Sequence, residues 1–187
     1  MADDDLVPRW ASLGPHGMRA AAEATQFVAA PLLAGAAIAT IGVAGADGPQ
    51  FRWPGPAMLA LTTAAVFLLA GIQLALRARR YLYSRADTQE WEGELEEGET
   101  PQRVYQQSSD MQVWRHWYAT SARAYEIGVS LLGLGILGLL APPDHASMGH
   151  AICRWTAVGV VGLAVVMQAV SAVRFNRMDR RRSPLRR

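Results

Sequence analysis

The sequence predicts an all-α fold: an integral membrane bundle of four transmembrane helices, arranged as two tandem helical hairpins. Three observations carry this. Four stretches of 17 to 24 residues hold no charged side chain, sixteen of the eighteen arginines fall on one side of those stretches, and charged residues are only 18% of the chain against 51% hydrophobic. About 20 helical residues cross a hydrocarbon core of roughly 30 Å. A soluble amphipathic helix would show a charge on its wet face at nearly every turn. The same apolar content excludes disorder across the whole chain. The single cysteine, Cys153, excludes a disulfide framework or a Cys-rich zinc site.

The elements follow in order. Residues 1–17 form a cytoplasmic N-terminal segment. Asp3, Asp4 and Asp5 stand there without an apolar run, so no cleavable signal is expected and the first span serves as its own insertion signal. Residues 18–80 make the first hairpin. Its spans lie between Glu23 and Asp47, 23 uncharged residues, and between Arg52 and Arg77, 24 uncharged residues. The turn between them contains Asp47, Gly48 and Pro49. Pro31 is expected to kink the first span.

Residues 81–116 form a cytoplasmic acidic loop followed by a helix. Glu90, Glu92, Glu94, Glu96, Glu97 and Glu99, with Gly93 and Gly98 among them, predict an exposed acidic loop. Thr100 and Pro101 then mark a helix start. Val104, Met111, Trp114, Tyr118 and Tyr125 recur at helical spacing, so this helix should run straight into the third span. Residues 117–174 are the second hairpin, with 17 uncharged residues between Glu126 and Asp144 and 19 between Arg154 and Arg174. Pro142, Pro143 and Asp144 make the turn. Residues 175–187 are an Arg-rich cytoplasmic tail.

Orientation follows from the arginines, because loops on the cytoplasmic side retain them. Two precede the first span, seven lie between the second and third, and seven follow the fourth. Both termini and the central segment are therefore placed in the cytoplasm. All basic residues are arginine, with no lysine. Together with the abundant alanine and glycine, this points to a GC-rich bacterial genome and a bacterial cytoplasmic (inner) membrane.

Four polar positions bear on function. Glu23 and Glu126 each stand near the start of the first helix of a hairpin, and Gln73 and Gln168 near the end of the second. Arg19 and Arg123 precede the two glutamates. This parallel suggests a duplication about an axis along the membrane normal. The glutamates border the apolar runs, so the expectation is that they reach headgroup water or pair with those arginines. The glutamines serve as hydrogen-bonding positions between helices. Small residues in the first span (Ala30, Ala34, Gly35, Ala37, Gly42) and the third (Gly128, Gly133, Gly135, Gly138) are expected to be packing surfaces.

Arg77, Arg79 and Arg80 after the second span, and Arg180, Arg181 and Arg182 after the fourth, are expected to meet anionic lipid headgroups. Their position beside spans favours lipid over nucleic acid. His145, His150 and Cys153 gather in the second outer loop with Met148 and form only a weak metal candidate, since their spacing fits no fixed motif. No histidine sits inside a span where it could serve a haem, and no cofactor is expected. No phosphate-binding loop, nucleophile elbow or zinc-protease motif occurs, so no enzyme activity is expected. The expectation is a non-catalytic accessory or scaffold subunit that contacts lipid and either a protein partner or a second copy of itself. The alternative is a homo-oligomeric channel or transporter for a small solute or ion. A conduit would need polar groups at mid-membrane, where only Thr40, Thr62, Thr63 and Ser130 are available.

Overall fold

The computed structural model describes residues 21, 23–47, 50–83, 90, 100–143 and 148–182, with 100, 101 and 175–182 described by backbone alone. Among the described residues four helices carry the chain: α1 (Ala30–Ala46), α2 (Pro54–Arg79), α3 (Thr100–Leu140) and α4 (Met148–Arg182). A π-helical turn, Thr25–Ala29, leads into α1. All four helical segments are long and apolar enough to cross a membrane. The acidic residues between Glu90 and Thr100, the segment 1–17 and the end of the tail at 183–187 lie outside the described residues.

Pro31 stands in the first turn of α1, directly after the π turn. A proline has no N–H to give to the carbonyl four residues back, and its ring crowds that carbonyl. Here the preceding turn widens, so that the Ala30 amide donates to the Thr25 carbonyl five residues back. A π turn thus occupies the place where the kink is expected, and π turns are, with proline, among the usual sites of helix kinks.

The centre of the molecule is the antiparallel pair α2–α3. Small residues recur every seventh position on both helices: Ala57, Ala64, Gly71 and Ala78 on α2, and Ser121, Gly128 and Gly135 on α3, all buried. A Cβ built on Gly128 would stand 2.8 Å from Leu68 Cγ and 3.2 Å from the Ala64 carbonyl oxygen. One built on Gly135 would stand 2.6 Å from Leu61 Cγ and 3.2 Å from the Ala57 carbonyl oxygen. The two backbones are therefore as close as these glycines allow, and Leu61 and Leu68, both fully buried, fill the holes left by them. Lipid tails are as apolar as leucine, so close packing of this kind is what holds membrane helices together. Ser121 Oγ adds a bond across the seam, donating to the Gly71 carbonyl at 2.8 Å.

Helix α1 lies against α2 through Ala30, Ala34, Ala37 and Ala44, which pack with Leu61, Ala64, Leu68, Leu132 and Leu139. Gly35 and Gly42, expected to serve as packing positions, instead have open space around them, because they fall on the opposite face of α1. Helix α4 rests on the flank of α3, with Val165 against Gly133, and no residue of its apolar stretch is buried. The bundle is thus a three-helix core with a fourth helix at its side. The principal contact, α2–α3, joins the two hairpins, and α1 and α4 make no comparable contact. A two-fold relating the hairpins would require one, so the packing does not display that symmetry.

Helix α3 is continuous over 41 residues, about 60 Å at 1.5 Å per residue. The first part is an extension beyond the last turn of α2, as the periodicity predicts. Met111 and Trp114 bury against Ala78, with Leu82, Trp117 and Tyr118 around them. The chain leaving α2 is tied to the same extension: Tyr83 Oη donates to Asp110 Oδ2 at 2.8 Å, and Gln107 Nε2 donates to the Tyr83 carbonyl at 3.5 Å. Tyr83→Phe and Asp110→Ala should each lower stability by about 1 kcal/mol. The double variant should lose little more than either single one. Additive losses in a double-mutant cycle, measured by detergent unfolding, would show that the two groups are not coupled.

Candidate functional site

The arginine-rich end of the bundle, where α1 begins and α2 ends, holds a groove between the π turn, α2 and the α3 extension. It is lined by Glu23, Gln26, Phe27, Ala75, Ala78, Arg79, Leu82, Trp114 and Tyr118, and spans about 390 Å³ including its open mouth. The lining is mostly apolar, with three polar side chains in distinct states. Glu23 and Arg79 form an ion pair at the rim, 3.6 Å apart and both well exposed. A pair of this kind contributes at most about 1 kcal/mol. The Arg79 guanidinium also lies 5.7 Å from the centre of the Phe27 ring, and Trp114 and Tyr118 stack at 5.3 Å on the opposite wall.

Gln26 is different. It is only 3% exposed, and its Oε1 has no hydrogen-bond partner among the described residues. Leaving a buried polar atom unpaired costs about 1–3 kcal/mol. The π turn accounts for its position: the turn that accommodates Pro31 carries Gln26 on the face directed at α2 and α3.

Sequence reasoning missed Gln26 because it looks like the polar edge of an apolar run. A signal was present, since a glutamine one turn before a membrane proline is a place to expect an irregular turn.

The polar positions read from the sequence do not converge. Glu23 reaches the groove, paired with Arg79; Arg19 lies outside the described residues. Glu126 and Arg123 form no ion pair among the described residues. Glu126 is also deeper than its place in the sequence suggests. The register that sets Gly128 against Leu68 puts Glu126 near the level of Ala70, about two turns, or ~10 Å, inside the level of Arg77. Gly133 against Val165 fixes the α3–α4 register, which brings Gln168 near the level of Ser130, about one turn from Glu126. Both side chains are half-buried, whereas Gln73 is exposed. The mid-membrane hydroxyls of Thr40, Thr62, Thr63 and Ser130 each donate to the carbonyl four residues back on their own helix.

Among the basic candidates, Arg77, Arg79 and Arg80 are exposed around the end of α2, and Arg77 lies 5.9 Å from the centre of the Trp117 ring. Arg180, Arg181 and Arg182 are the last residues of α4. His150 and Cys153 are exposed in the first two turns of α4, and His145 lies outside the described residues. No cluster of three metal-ligating side chains occurs among the described residues.

These features define a multi-pass α-helical membrane protein with four spans. No family model matches the chain, and no curated protein or solved structure is similar to it.

Proposed function

We propose that the protein is a non-catalytic accessory or scaffold subunit of a bacterial cytoplasmic membrane, with both termini and the α3 extension on the cytoplasmic side. The observation that supports this most is the form of α3. It leaves the membrane level without a break and continues as a helical arm braced by the end of α2. Gln102, Gln106, Ser109 and Gln112 are exposed on this arm, together with Tyr105, which is 68% exposed. Such a braced arm with an exposed tyrosine suits contact with a protein partner, since tyrosine is enriched at interfaces. A photo-crosslinking residue placed at Tyr105 in native membranes should capture one discrete protein, and the same group at lipid-facing Leu32 should not. Equal or absent capture at both positions would count against the scaffold reading.

The second reading, a homo-oligomeric channel or transporter, draws on the depth of Glu126 and its closeness to Gln168, because an ionisable group below the headgroups often marks a pathway. The core of a single copy supplies little else, as the neighbouring hydroxyls are engaged by their own helices. Purified protein in liposomes should carry no ion or proton flux. Robust wild-type flux that disappears in Glu126→Gln would overturn the accessory reading.

A further inference from the structure

We propose that the groove at the arginine-rich end binds the headgroup of a single anionic, hydroxyl-bearing phospholipid, of which phosphatidylglycerol is the simplest. Gln26 Oε1 is buried, lies in the groove lining and lacks a donor among the described residues; a headgroup hydroxyl supplies one. Arg79 pairs with Glu23 through one nitrogen at 3.6 Å. A guanidinium has five N–H donors, so this pairing leaves others for a phosphodiester oxygen.

The remaining wall is apolar or aromatic, with Phe27 and Trp114 suited to the glycerol backbone and the first methylenes. The depth also fits. Glu23 meets Arg79 in the last turn of α2, where the apolar run ends and arginine and aromatic side chains mark the headgroup layer. A lone water could also satisfy Gln26, but it would use neither Arg79 nor the aromatic wall. The proposal rests on the reading that the arginine collar of α2 meets anionic headgroups, and it goes further by assigning one stoichiometric site.

The test is native mass spectrometry of the full chain in detergent with equal loads of phosphatidylglycerol and phosphatidylcholine. Wild type should retain one phosphatidylglycerol in clear preference. Gln26→Met, which keeps the volume and removes the amide, should weaken that first binding roughly fivefold, and Arg79→Gln roughly tenfold. Arg80→Gln, with the same charge change outside the groove, should bind as wild type does. A preference that survives both groove substitutions would keep the collar and overturn the site, leaving water on Gln26. No preference in wild type would overturn both.

The deacylated headgroup, glycerophosphoglycerol, should fail to displace the lipid at equal concentration. Displacement would assign the site to a soluble phosphodiester instead. Folding of the variants is checked by their unfolding in lipid-free detergent. There Gln26→Met should be at least as stable as wild type, because it removes an unpaired buried polar atom; a loss of stability would mean that Gln26 is already satisfied and would overturn the proposal.

Discussion

Replacing Gly128 and Gly135 together by alanine is expected to lower stability by about 2–6 kcal/mol. Each new methyl would enter space already occupied by Leu68 or Leu61, at 2.8 and 2.6 Å from the respective Cγ atoms. The leucines are fully buried and cannot swing away freely. The carbonyls of Ala64 and Ala57, each 3.2 Å from the added carbon, are backbone and move only with α2 itself. The helices must therefore separate along the seam, which also strains the Ser121 bond to Gly71. Gly42→Ala is the control: its surroundings are open, so the better helix propensity of alanine should leave stability unchanged or slightly raised. Unfolding in SDS titrated into mild detergent measures both. Equal behaviour of the two variants would mean that α2 and α3 do not meet through the glycines.

Trp114→Ala should cost about 3–5 kcal/mol, as truncation of a buried aromatic typically does. Trp114 is 8% exposed, packs on Ala78 and Met111, and stacks on Tyr118. It joins the α3 extension to the last turn of α2, so its loss should loosen the arm and open the groove beside Gln26. His116→Ala, two residues on and exposed, should change stability little. Hydrogen exchange would separate the outcomes, with faster exchange over residues 102–112 in Trp114→Ala only. Unchanged exchange there would show that the arm is held by other contacts.

The four spans were legible because the bilayer sets a length and forbids charge, and the uncharged runs of 17 to 24 residues meet both conditions. The α3 extension was legible from Val104, Met111 and Trp114 at helical spacing. The packing faces were legible only in part. Gly128 and Gly135 belong to a seven-residue repeat of small side chains that needs its partner, Ala57–Ala64–Gly71–Ala78, to be recognised as a seam. Gly35 and Gly42 carry the same residue type on a face that no described residue covers, so composition alone could not separate them.

The depth of Glu126 was hidden for a related reason. Charge-free counting starts a span at its first charge, whereas the register with α2 shows where that charge actually stands. Gln26 was hidden because its burial depends on a π turn, a local response to Pro31 that no hydrophobic pattern displays.

Four membrane spans with the arginine-rich end inside make a definite demand on the one native thiol. Cys153 is exposed near the start of α4, at the end of the bundle away from Arg77–Arg80. A membrane-impermeant maleimide should label it in spheroplasts and not in sealed inside-out vesicles. In a Cys153→Ser background, Gln102→Cys on the α3 arm should give the reverse pattern. Labelling of both positions from the same side would contradict the four-span account, and an exchange of the two patterns would contradict its orientation.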